Sequence, residues 1–114
     1  MPEDCLFCRI VSGSIPATKV HEDAETLAFL DIHPQARTHV LVIPKAHVGS
    51  VLDLPAGSPV MARLTEVACR LAREGKIAES GFRLAVNTGT DGGQTVGHLH
   101  LHLLGGRRMT WPPG

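Results

Sequence analysis

The chain is 114 residues long, 43% hydrophobic, and its 11 basic residues balance 11 acidic ones. Zero formal charge gives no general pull toward nucleic acid or anionic lipid, and aromatics at 4% without a tyrosine argue against a base-stacking module. No apolar run approaches the ~18–20 residues of a membrane span, and Met1-Pro2-Glu3-Asp4 lacks the basic and apolar regions of a secretory signal, so one cytoplasmic domain over residues 1–114 is expected.

Taken in order, Cys5 to Val11 reads as a short helix, stopped by Ser12-Gly13-Ser14 and Pro16. Lys19 to Glu22 reads as a short strand. Thr26 to Asp31 and His39 to Ile43 are apolar strands, bounded by His33-Pro34-Gln35 and by Pro44. Ser58 to Glu74 reads as a helix, with Ser58 as N-cap, Pro59 in the first turn and Gly75 after the last. Val60, Leu64, Val67 and Leu71 fall on one face, widened by Met61, Ala68 and Ala72, and this stripe is core. Phe82 to Asn87 reads as a strand, Thr88 to Gly97 as a glycine-rich loop, and His98 to Leu104 as a last strand; the tail from Arg107 is irregular. Strands without repeated strand–helix–strand units predict an α+β fold on an antiparallel sheet.

Histidine is the anomaly: seven in the chain, three of them within five consecutive residues. On a strand, His98, His100 and His102 share one face, about 6.5–7 Å apart, and Leu99, Leu101 and Leu103 share the other. Ordinary exposed strands use Thr, Lys and Glu, so the imidazoles point to metal ligation or to acid–base and nucleophilic chemistry. Spacing alone does not choose. The preceding Gly92-Gly93-Gln94-Thr95-Val96-Gly97 helps, because glycines let successive amides converge on an oxyanion and Thr95 adds a hydroxyl. Separately, Cys5-Leu6-Phe7-Cys8 has metal-clip spacing, though a redox pair or two buried thiols fit it as well. Cys69 on the long helix reads as packing, and Lys45 as a solvated charge.

The segment from Gly93 through His98-Leu99-His100-Leu101-His102-Leu103-Leu104 resembles the signature of the histidine triad (HIT) family, three histidines alternating with apolar residues. The resemblance covers nearly the whole chain. Phe29-Leu30-Asp31-Ile32 with Pro34-Gln35 matches the family's nucleoside-side segment. Thr38 to Lys45 matches its next strand, and Val86-Asn87-Thr88-Gly89 the strand before the loop. The ending Gly105-Gly106-Arg107 with Trp111-Pro112-Pro113-Gly114 is similar to the Hint branch, whereas the dinucleoside polyphosphate hydrolases end differently.

The resemblance implies a HIT-like fold, a five-stranded antiparallel sheet with one long helix and a short N-terminal helix, assembled as a homodimer with Trp111 near the partner's pocket. It implies hydrolysis at the α-phosphate of a purine nucleotide (AMP or GMP and their phosphoramidates, and aminoacyl adenylates). His100 would be the nucleophile and His102 the stabiliser of phosphate charge. Thr95 would contact the phosphate or the departing amine, its methyl narrowing tolerance for bulky leaving groups. His39 would act from behind the catalytic strand. Gly93 and Gln94 would supply loop contacts, Asn87 would reach the phosphate or ribose, Asp31 would accept from the ribose hydroxyls, and Phe29 and Ile32 would line the base pocket.

Some members hold a structural zinc, which here would fall to Cys5, Cys8, His47 and His98; no catalytic metal is implied. The alternatives are a nucleotide-binding scaffold without turnover, a dinucleoside polyphosphate hydrolase, a nucleotidyltransferase, or a metal hydrolase built on the His-x-His pattern.

Overall fold

The computed structural model describes residues 4–114. It has the element order α1 (Leu6–Ser12), β1 (Lys19–Glu22), β2 (Thr26–Leu30), β3 (Thr38–Pro44), a 3₁₀ turn (Val51–Asp53), α2 (Val60–Glu74), β4 (Phe82–Ala85) and β5 (Leu101–Gly105). The five strands form one antiparallel sheet in the order β1-β2-β3-β5-β4. This is the expected α+β architecture. The 3₁₀ turn is an addition the sequence reading does not contain; Ser50 and Asp53 form a reciprocal capping box at its start.

The two faces of the sheet bury different things. Leu64, Val67, Ala68 and Ala72 of α2 pack on Ala28, Val40, Val42, Leu99, Leu101 and Leu103, which is the stripe read from the helical period. Leu71 and Met61 lie at the margin of that cluster. On the opposite face Phe7 and Ile10 of α1 cover Leu27, Phe29, Leu41 and Ile43. The catalytic candidates belong to this second face.

Helix boundaries follow the caps. α2 starts at Val60 with Pro59 as its N-cap, one residue later than the sequence predicts, because the Pro59 carbonyl is the first to accept; Pro59 brings no capping side chain, and Ser58 Oγ before it accepts from the Val60 amide at 3.3 Å. At α1 the Cys5 thiol is the cap, with Sγ 3.4 Å from the Cys8 amide, and Gly13 ends the helix in the left-handed conformation.

Three strands are shorter than read, β2 by one residue, ending at Leu30, and β4 and β5 by two. β4 ends at Ala85, so Val86 and Asn87 lie beyond the ladder. β5 starts at Leu101, not at His98, and the reason is local hydrogen bonding. The partner strand ends in Pro44, which has no N–H to give, and its carbonyl accepts from the His98 ring. The Leu99 amide goes to the Val48 carbonyl, and the His98 carbonyl takes the ring of His100. Backbone groups that would extend the ladder are already spent.

Candidate active site and metal cluster

The alternation of the last strand survives the shortened ladder. Leu99, Leu101 and Leu103 enter the core under α2, and the three histidines face α1. All are removed from bulk solvent: His98 is fully buried, His100 nearly so and His102 half-buried. Phe7 meets His98 and His100 edge-on, with ring centroids 5.9 and 5.1 Å away, and His100 and His102 lie 5.0 Å apart.

Each ring has a protonation pattern set by its neighbours. His100 Nδ1 lies 2.7 Å from the His98 carbonyl, which can only accept, so Nδ1 carries the proton and Nε2 keeps its lone pair. The Gln35 amide donates to His39 Nδ1 at 3.0 Å, which places the His39 proton on Nε2. That nitrogen is 3.0 Å from His102 Nδ1 and 3.4 Å from an Asp31 carboxylate oxygen. His102 Nδ1 therefore accepts, and its own proton sits on Nε2, a buried atom with no partner among the described residues. Burial holds the His102 ring down to about 4, with repulsion from His100 and His39 adding to the shift and Asp31 opposing it. Burial also lowers His39, again against the pull of Asp31.

Asp31, His39 and His102 are close enough to hold a cation between them. The Gln35 amide argues for a proton relay there instead, because a metal on His39 Nε2 would move the ring's one proton to Nδ1, opposite an N–H.

The histidines open onto a cavity of about 290 Å³ between α1 and β2. Phe29, Asp31, Ile32, Thr95, His100 and His102 all line it. Asn87 and His39 lie on the far side of His102, in a second cavity of about 630 Å³ that Arg83, Arg107 and Trp111 also border. The C-terminal tail reaches this cavity within its own chain, held by Arg83 donating to the Thr110 carbonyl and Arg107 to that of Gln35.

The loop corrects one expectation. The amides of Gly93 and Gln94 are not loop donors for a phosphate; they are bonded to the carbonyls of Thr90 and Gly89. The Gln94 side chain is also engaged. Its Oε1 accepts from the Gly89 amide, and its Nε2 donates to the carbonyls of Gly49 and Val96 at 2.7 and 3.0 Å. Gln94 is thus a brace across the loop, which turns tightly because a Cβ at Gly92 would strike the Thr88 backbone and Gly93 has φ +79. Thr95 and Val96 are the loop residues that face the cavity. Lys45 is paired with Glu22 at 2.9 Å rather than freely solvated.

The residues missed by sequence reasoning act mainly through the backbone. They are the Gln35 amide, the Pro44 and His98 carbonyls, and Phe7 against the rings. Only Phe7, inside the cysteine clip, carries any side-chain signal.

The second cluster gathers Cys5, Cys8, His47 and His98. Cys5 Sγ is 3.4 Å and Cys8 Sγ 3.6 Å from His98 Nδ1, and Cys8 Sγ is 3.3 Å from His47 Nδ1. A tetrahedral zinc with ordinary Zn–S and Zn–N bonds has ligand edges of about 3.3–3.8 Å, so these spacings fit it. The tautomer fits too: His98 Nε2 donates to the Pro44 carbonyl at 2.8 Å, leaving Nδ1 free for the metal. With the ligands protonated, burial and the neighbouring Cys5 thiol push Cys8 up to about 11, a cost that a cation removes by holding thiolates.

A model of the HIT domain matches residues 12–109. The chain belongs to the HIT family. A HIT-like protein of Synechococcus elongatus is 47% identical over the whole of both chains. A 14 kDa zinc-binding protein of Brassica juncea is 43% identical over 97% of this chain and all of its own. Among solved structures, a HIT family hydrolase from Legionella pneumophila superposes with a TM-score of 0.95 at 52% identity, covering 97% of this chain and 100% of that one. A histidine triad protein from Clostridium difficile gives 0.93 at 42% identity, with 96% of each chain covered. The HIT fold of five antiparallel strands and two helices is therefore that of this chain.

Proposed function

We propose that this HIT protein hydrolyses the bond between the α-phosphate of a purine nucleoside monophosphate and an amine or acyl leaving group, in two steps through His100. The observation that carries the reading is the 2.7 Å bond from His100 Nδ1 to the His98 carbonyl, which keeps a proton on Nδ1 and makes Nε2 the nitrogen that can offer a lone pair, on a ring lining a nucleoside-sized cavity.

In the first step Nε2 forms a bond to phosphorus and the bond from phosphorus to the leaving nitrogen breaks. The amine departs with the proton of the Thr95 hydroxyl, which takes one from solvent in its place. The ring becomes cationic, and its Nδ1–H to carbonyl bond strengthens as the charge appears. His102, neutral and holding its proton on Nε2, donates to a phosphate oxygen and so gives a partner to a buried ring nitrogen that has none among the described residues. In the second step a water oxygen bonds to phosphorus and gives up one proton to solvent, the bond to Nε2 breaks with its electron pair returning to the ring, and the nucleotide leaves with the neutral imidazole restored.

Asp31 accepts from the ribose hydroxyls, and Phe29 and Ile32 pack on the base. The larger cavity beyond His102, with Asn87, Arg107 and Trp111, receives the leaving group. The name of the Legionella protein supports hydrolysis, and that of the Brassica protein supports zinc. Cys5, Cys8, His47 and His98 would hold the ion; it would supply folding energy, and chemistry at phosphorus stays with His100. We place the protein in the reducing cytoplasm as a homodimer, by likeness to the Hint branch.

The test sets an adenosine phosphoramidate and an aminoacyl adenylate beside a diadenosine polyphosphate. The phosphoramidate and adenylate are expected to be cleaved faster. Preference for the polyphosphate would move the protein to the other branch.

A further inference from the structure

His98 is the one residue shared by the metal cluster and the nucleophile. Its ring Nδ1 faces both cysteine thiols, at 3.4 and 3.6 Å, and its Nε2 is fixed to the Pro44 carbonyl. Its main-chain carbonyl, 2.7 Å from His100 Nδ1, decides which nitrogen of His100 carries the proton. Residues 98–100 lie outside the β5 ladder, so strand pairing does not hold that carbonyl in place. The remaining tether is the Leu99 amide bond to Val48, one residue past His47 on the other side of the cluster.

From this arrangement we infer that His98 is a positioning residue: once ligated, it locks the carbonyl that orients the His100 ring, so occupancy of the cysteine–histidine cluster sets the aim and tautomer of the nucleophile. The inference rests on His100 being the nucleophile only for its effect on turnover. The tautomer effect stands on the hydrogen bonds alone. The cluster meets His100 by two routes: the His98 carbonyl, which holds the Nδ1 proton and so sets the tautomer, and Phe7 of the Cys5–Cys8 clip, whose ring lies edge-on to His100 at 5.1 Å and offers no side-chain donor or acceptor that could fix a tautomer. A site that served stability alone would leave the His100 ring in the same tautomer with and without the ion.

The experiment uses the full chain loaded with zinc, the same chain after chelation, and the His47→Asn variant, which keeps both thiols and His98. Zinc content is measured by mass spectrometry, folding by circular dichroism, and the His100 tautomer by ring ¹⁵N shifts. In the loaded protein His100 is expected to show a single Nδ1–H tautomer. After chelation, and in His47→Asn, mixed tautomers are expected in a chain that remains folded, with the single tautomer restored to the chelated wild type by added zinc. With a phosphoramidate substrate, kcat is expected to fall about 10-fold or more while KM changes less than about 2-fold.

Three results overturn the inference: no zinc bound by the wild type, a His100 tautomer indifferent to the metal, or global unfolding of both the chelated chain and the variant, which would make the cluster a support for the fold as a whole. The NMR result stands apart from turnover. A metal-dependent tautomer without phosphoramidate cleavage would contradict the proposed function and leave the coupling intact.

Discussion

His39 Nε2 lies 3.0 Å from His102 Nδ1, and the Gln35 amide behind His39 fixes the direction of that bond. The consequence reaches the cavity: the only proton on His102 sits on Nε2, where a phosphate oxygen can take it. Replacing His39 with Ala frees His102 to flip tautomer. Activity on a phosphoramidate is expected to drop about 10–100-fold, with zinc content unchanged. Equal activity in His39→Ala would show that His102 needs no such support.

Burial of these rings also makes stability depend on pH. The unfolded chain takes up a proton on His102 near 6.5, the folded chain only near about 4. Between those values the unfolded state binds more protons, so stability falls as pH drops through the window and is flat above it for this group. His39 acts in the same direction. The His102 contribution amounts to at most about 3 kcal/mol. Urea midpoints at pH 7 and pH 4.5 are expected to differ less in His102→Gln than in the wild type; an unchanged difference would place the titration elsewhere.

Gln94 bridges three backbone groups with one amide. In Gln94→Ala the carbonyls of Gly49 and Val96 and the Gly89 amide lose their partner, at a cost of about 1–3 kcal/mol. Thermal unfolding should register this, together with a lower kcat, because Thr95 is the next residue. Gln94→Glu keeps the acceptor and loses the donors, so it should fall between the two. Stability equal to wild type in Gln94→Ala would remove the brace.

The part of the smaller cavity proposed to take the base is walled mainly by Leu6, Phe7, Ile10, Pro16, Phe29 and Ile32, which have no side-chain donor or acceptor, with His33 as the polar neighbour of Ile32. A pocket of this kind discriminates weakly between bases that differ in polar edge groups. Adenosine and guanosine phosphoramidates are expected to differ by less than about 10-fold in kcat/KM. A ratio of 10³ or more would require a polar reader of the base edge.

Much of this was legible before any coordinates. The stripe Val60, Leu64, Val67 and Leu71 and the alternation through Leu103 follow from period and local chemistry, and they give the sheet, the long helix and its buried face. The pairing of His39 with His102 was not legible in the same way. It depends on the register that sets His39 against Leu104 and His102 against Leu41, a long-range relation with no local signal. The short ladder of β5 has a local cause, Pro44, but the residue lies on a different strand. Gly93 and Gln94 were misread because a glycine loop shows that amides can converge, not where they are already spent.

The central claim is that the unprotonated nitrogen of His100 makes the bond to phosphorus. It is tested most directly by mixing enzyme with an adenosine phosphoramidate, quenching within one turnover at alkaline pH, and mapping adducts by peptide mass spectrometry. The account predicts a nucleotidyl group on His100, absent from His100→Ala, which should still bind AMP while kcat falls on the order of 10⁴-fold or more. Turnover by the wild type with no adduct, or with the nucleotide on another side chain, would contradict it.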